Sequence, residues 1–180
     1  MASIGPREMV GKIFVNYRRG DDQALAGRLF DRLGEAFGCE QLFMDVDSIA
    51  PGLDFVQVLE ERLGQCDIVL TVIGKGWLET RPRLDDPQDF VRIEIETSLN
   101  QEKRVIPVLV DEARMPRADE LPEAIRPLAR LNAVRLRHER FRADTQGLIK
   151  TLQETLKEVR RVEPKSPFRN LIKDCRAFAT

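Results

Sequence analysis

At 180 residues the chain has room for one domain and a tail, and not for a second full core. With 42% apolar and 33% charged residues it is neither a disordered chain nor a membrane-resident one, and 29 Lys plus Arg against 30 Asp plus Glu gives no case for nucleic-acid binding. No apolar run approaches the ~20 residues a membrane span needs, and Met1–Phe14 lacks the apolar core of a secretory signal, so a cytoplasmic setting is expected.

Taken in chain order, residues 12–17 (KIFVNY) read as a first strand. Ala26, Leu29, Phe30, Leu33 and Phe37 then recur at helical spacing, and Gly38 ends that helix. Residues 41–46 (QLFMDV) read as a second strand. Phe55, Val58, Leu59 and Leu63 mark a second helix, with Asp54 as its cap and Gln57 placed to complete a capping box. A third strand is expected at 67–73 (DIVLTVI), and a third helix starting at Asp86-Pro87, with Asp as cap and Pro in the first turn. Residues 104–110 (RVIPVLV) form a fourth strand. Segment 111–131, with Pro116, Pro122 and Pro127, reads as an irregular connection with one short helix. In residues 133–138 Val134 and Leu136 alternate with arginines, as in an edge strand with one wet face. Leu148, Ile149, Leu152, Leu156 and Val159 give the buried stripe of a last helix.

The four stronger strand runs are apolar at consecutive positions, which is the mark of strands covered on both faces. Five strands alternating with helices predict an α/β fold, a flavodoxin-like doubly wound parallel sheet in the order 2-1-3-4-5. Residues 1–10 are read as an N-terminal extension, 11–160 as the domain, and 161–180 as a basic tail or linker, which leaves a place for a fused or separate effector domain. Cys39, Cys66 and Cys175 fit neither a disulfide framework nor a zinc pattern, and His138 is the only histidine, so no metal is expected.

In a sheet of this order ligands bind where the winding reverses, at the carboxyl ends of strands 1 and 3. Tyr17, Arg18 and Arg19 follow strand 1, Asp45 and Asp47 follow strand 2, and Gly74, Gly76 and Trp77 follow strand 3. At about 100° per residue, Glu94 falls inside the apolar arc of its helix, over Phe90 one turn away. A carboxylate there is partly desolvated, which is costly unless it has a partner or a task. Pairing with Arg18 or Arg19 as a structural contact is the plainer alternative to a catalytic role. The two arginines suit a phosphate or carboxylate through their guanidinium forks, although solvated charges closing a strand are commoner. The segment GKGW (74–77) lacks the spacing of a nucleotide loop. Asp45 resembles a phospho-accepting aspartate, but arginines stand where that chemistry needs a second acidic group. Trp77 and Phe90 are more often core than ligand platforms, and only their place on the rim argues otherwise.

Five ordered blocks, FVNYRRGDD (14–22), FMDVDSIAPGLDF (43–55), DIVLTVIGKGWL (67–78), DFVRIEI (89–95) and RVIPVLV (104–110), resemble those of bacterial TIR (Toll/interleukin receptor homology) domains. The resemblance covers roughly residues 11–160. It implies one of two functions. Some members are non-catalytic modules that signal, or interfere with signalling in bacterial immunity or infection, through TIR–TIR contacts. Others are hydrolases (NADases) or cyclases that cleave the nicotinamide–ribose bond of NAD as substrate, with no cofactor. In those a glutamate of a WxxxE-like motif is catalytic, which maps here to Glu94 with Phe90 in place of the tryptophan. The family's arginine position maps to Arg18 and Arg19 and its acidic loop residue to Asp47. Phe90 and Trp77 would offer faces to the nicotinamide or adenine. The resemblance also implies a head-to-tail oligomer or filament, completed by the loop Ser48, Ile49, Ala50, Pro51 and Gly52, and no membrane or nucleic-acid partner. Nucleoside deoxyribosyl transfer, which shares the fold and a catalytic glutamate, is a third and more distant option.

Overall fold

The computed structural model describes residues 11–20, 23–44, 52, 54–79 and 81–162. Ten regular elements follow one another among them: β1 (Ile13–Asn16), α1 (Gln23–Phe37), β2 (Leu42–Met44), α2 (Phe55–Gly64), β3 (Ile68–Ile73), α3 (Arg81–Leu84), α4 (Phe90–Asn100), β4 (Arg104–Val110), β5 (Val134–Leu136) and α5 (Phe141–Val162). The strands form one all-parallel sheet in the order β2-β1-β3-β4-β5. That is the doubly wound arrangement the apolar runs predict.

Burial explains why these segments are strands. Every residue of β1 and of β3 is buried, because helices cover both faces. On one face Ile13, Val15, Leu70 and Val108 pack with Leu25, Leu29 and Leu33 of α1 and Leu148, Leu152 and Leu156 of α5. On the other, Phe14, Val69 and Leu109 pack with Leu59 and Leu63 of α2, Val91 and Ile95 of α4, and Ile125 and Leu128. The last two belong to a 3-10 helix, Glu123–Arg130, which follows a shorter one at Ala118–Glu120. The connection after β4 is therefore more regular than its prolines suggest.

The caps are chemically specified. Gly38, at φ 96°, ends α1 with its N–H on the Gly34 carbonyl at 2.9 Å, a backbone conformation that costs glycine least. Asp54 caps α2 by accepting from the N–H groups of Val56 (2.9 Å) and Gln57 (3.2 Å). The Gln57 amide goes forward to Glu61 Oε1, not back to complete a capping box. Asp54→Ala is expected to lower stability by about 1 kcal/mol, read as a shift in the urea midpoint at unchanged slope.

One expectation needs correction. The helix after β3 does not begin at Asp86-Pro87. Asp86 instead accepts from the Gln88 N–H at 2.9 Å in a local turn, and α4 starts at Phe90 behind the cap Asp89. Pro107 stands inside β4 without breaking the ladder. Asp111 N–H donates to the Leu136 carbonyl at 2.8 Å, so by two-residue alternation Pro107's missing N–H faces the β5 side. Val108 is the first β4 residue that β5 pairs, so Pro107 forfeits no strand bond.

Candidate functional site

Alternation along β1 decides what meets what. Val15 and Tyr17 point to the α1/α5 face, while Phe14 joins the opposite cluster. Asn16 and Arg18 share Phe14's parity and project toward α4. Two residues of strand advance ~6.7 Å, and the five residues from Asp89 to Glu94 advance ~7.5 Å along a helix. The spacings match and the elements run antiparallel, so two polar contacts form side by side. Asn16 Nδ2 donates to Glu94 Oε2 at 2.5 Å. The Arg18 fork donates through Nη1 and Nη2 to the two carboxylate oxygens of Asp89, at 2.9 Å each.

Glu94 is only 6% exposed, and with Val91, Ile95 and Ser98 it makes up the buried stripe of α4. The Ser98 hydroxyl donates to the Glu94 carbonyl at 2.5 Å, so that stripe satisfies its own polar atoms locally. On about a 100° wheel these four residues centre near 90°, and Phe90 falls at the arc's edge in the first turn. Phe90 is correspondingly 59% exposed. Glu94 thus lies one turn below an exposed aromatic ring, on the inner side of the same helix.

Arg18 is buried and its fork is committed to Asp89, not to Glu94. Asp89 does two jobs, since its Oδ1 also accepts the Arg92 N–H at 3.0 Å and so caps α4. Burial alone would raise the Asp89 carboxyl. The hydrogen bonds from Arg18 and the Arg92 N–H, with the charges of Arg18 and Arg83, outweigh it and hold the carboxyl below its ordinary range. Of the paired arginines, Arg19 is the exposed one. Asp89 was not singled out in the sequence. An aspartate directly before an apolar-periodic stretch is the available cue, and the Asp86-Pro87 pair masked it.

Trp77 corrects another expectation. It is 0% exposed and packs among Phe14, Leu59, Ile73, Leu84 and Val91, so it is a core residue and not a rim platform. Tyr17 is half-buried against the α1/α5 face. Asp45, Asp47 and Ser48, Ile49, Ala50 and Pro51 lie outside the described residues. Gly52 is described, exposed at φ 91°. A cavity of about 280 Å³ opens at the carboxyl end of the sheet beside Gly74, Lys75, Glu79 and Arg114. A larger one of about 980 Å³ lies at the opposite end, among Leu99, Lys103, Arg104 and Arg130, and includes none of the candidate residues. Among the described residues no helix is long and apolar enough to cross a membrane.

Chemically, the rim offers a buried carboxylate held by the Asn16 amide, an exposed aromatic ring, and an exposed guanidinium one residue beyond a buried ion pair. Such a carboxylate can bind hydroxyls and stabilise positive charge developing beside it.

Residues 13–152 match the profile of the family described as TIR domain. The chain is 29% identical over 127 residues to the NAD(+) hydrolase sarm1 of Drosophila melanogaster, a match covering 71% of this chain and 9% of that protein. The chain therefore matches less than a tenth of that relative's length. Among solved structures, a prokaryotic SEFIR domain superposes with a TM-score of 0.54 at 17% identity, over 87% of this chain and 98% of that one. A looser superposition, TM-score 0.45 at 20% identity over 91% of this chain and 92% of that one, is found with the TIR domains of the activated Roq1 resistosome.

Proposed function

This chain belongs to the TIR domain family, and from that premise we propose that it is an NAD glycohydrolase or ADP-ribosyl cyclase activated by self-association. The observation that carries the reading is Glu94, a carboxylate held on the buried side of α4 at the carboxyl rim of the sheet. The similarity to an NAD(+) hydrolase supports it.

The bond to be broken joins nicotinamide to the ribose C1′. Nicotinamide leaves with the bonding electron pair, and the sugar passes through an oxocarbenium-like cation. Glu94 holds the ribose hydroxyls and sets its negative charge against the developing positive one. Water then attacks C1′ and loses a proton, giving ADP-ribose. Attack by an adenine nitrogen gives the cyclic isomer. Phe90 presents its ring to a flat base, and Arg19, the exposed member of the arginine pair, meets the pyrophosphate. Asp45 and Asp47 join the same copy's rim, and the loop Ser48–Gly52 of a neighbouring copy completes the site, in a head-to-tail assembly that is open-ended.

The test is nicotinamide release from NAD by concentrated, assembled protein, with and without a crowding agent. Turnover is expected only under assembling conditions. No release at concentrations that form filaments would favour the alternative, a non-catalytic TIR–TIR module. Phe90→Ala is expected to raise KM about tenfold with kcat within threefold, the size of one lost stacking contact. Phe90→Trp, which restores the family's aromatic, is expected to lower KM. Steady-state kinetics on both variants check this.

A further inference from the structure

We infer that Asn16 is a positioning residue for Glu94, fixing the carboxylate through its side-chain amide; this rests on the hydrolase reading above. Four observations carry it. Asn16 is 1% exposed and ends β1, a polar side chain after the apolar run Ile13–Val15 in a strand with every residue buried. Its Nδ2 donates to Glu94 Oε2 at 2.5 Å, across 78 residues of sequence. Its strand is hydrogen-bonded on both sides, to β2 and to β3, with Asn16 itself in register with Thr71. The amide is thus delivered from an inner strand of the sheet, where the backbone has least freedom to move. Finally, Asn16 Oδ1 is buried and has no hydrogen-bond partner. A residue kept only for packing would gain by losing that orphaned acceptor. What the asparagine contributes is its donor, and the donor is spent on Glu94.

The physical consequence is orientation. A glutamate on a helix has three side-chain torsions, and a carboxylate that must meet both ribose hydroxyls and a developing cation loses effect if it wanders.

Two variants remove the amide donor: Asn16→Leu keeps the heavy-atom count and branching, and Asn16→Asp keeps the planar shape. Thr71→Val is the control, because Thr71 is equally buried, neighbours Asn16 in register, and also has an unpartnered hydroxyl. In nicotinamide-release assays on the assembled chain, both Asn16 variants are expected to lower kcat by 10- to 100-fold, on the order of the cost of a misplaced catalytic group, with KM within threefold. Thr71→Val is expected to keep both constants within twofold. A kcat within threefold of wild type in a folded Asn16 variant overturns the inference, as does an equal loss in Thr71→Val.

A second measurement does not depend on activity. The side-chain carboxyl carbon of Glu94, observed by NMR in glutamate-labelled protein, is expected to give one sharp line in the wild type. In either Asn16 variant it is expected to be shifted or broadened, and an unchanged line overturns the inference. The hydrolase reading fails separately, if the wild type releases no nicotinamide or if Glu94→Gln is as active as the wild type.

Discussion

Glu94→Gln is expected to lower the rate of nicotinamide release by about 10³-fold in kcat, equivalent to ~4 kcal/mol of lost transition-state stabilisation. The substitution keeps the length and shape of the side chain. Its amide oxygen still accepts from Asn16 Nδ2, so the contact between β1 and α4 survives. What disappears is the negative charge opposite the ribosyl cation. Charge stabilisation in an enclosed site is worth far more than in water, because no solvent reorganises to replace it. The melting temperature should be unchanged or slightly higher, since a neutral amide on the buried face of α4 is cheaper to enclose than a carboxylate. Nicotinamide release and thermal melting on the same preparation separate the two effects. A kcat within tenfold of wild type would remove Glu94 from the chemistry.

Asp89→Asn carries the largest expected effect on stability, a loss of about 3–5 kcal/mol. Asparagine is as good a helix cap as aspartate, so α4 keeps the acceptor for the Arg92 N–H. The loss isolates the ion pair. Arg18 is 2% exposed, and without the opposing carboxylate its charge is buried and uncompensated. Against the total stability of an ordinary domain this is a large fraction, on the order of 10 °C in melting temperature. The pH dependence follows from the sign of the shift. The folded carboxyl titrates below its ordinary range, so the pair contributes fully above the unfolded value of about 3.9. That contribution fades as pH falls through the depressed folded value. Denaturant melts should therefore show a wide gap between wild type and Asp89→Asn at pH 7, and a much narrower one in strong acid. An equal gap at both would mean that the pair is not its source.

The sheet was readable because its physics is local. A strand enclosed on both faces must be apolar at every position, and residues 67–73 and 104–110 announce β3 and β4 within one residue. Glu94 was readable for the converse reason, as a charge within a helical apolar stripe. The contacts that organise the rim were not. Asn16 and Glu94 are 78 residues apart, and Arg18 and Asp89 are 71 apart, so nothing in the spacing of either pair links them. The start of α4 was misplaced because Asp-Pro is a strong helix signal and an equally good turn signal. The turn won at Asp86. Trp77 shows the limit of placing side chains by loop position, since a residue four positions past the end of β3 folds back into the core.

Pro107 and the shortness of β5 bear on how such a molecule can live at high local concentration. Under the reading proposed above, in which copies crowd together to act, a domain runs a constant risk of joining them in the wrong way. Beyond the three residues of β5, the margin of β4 would invite a foreign strand to dock and template cross-β growth. The proline removes a donor on that margin, and a strand of three residues leaves little for an intruder to copy. Such a margin gives cross-β growth little to build on, whatever brings copies of the domain together.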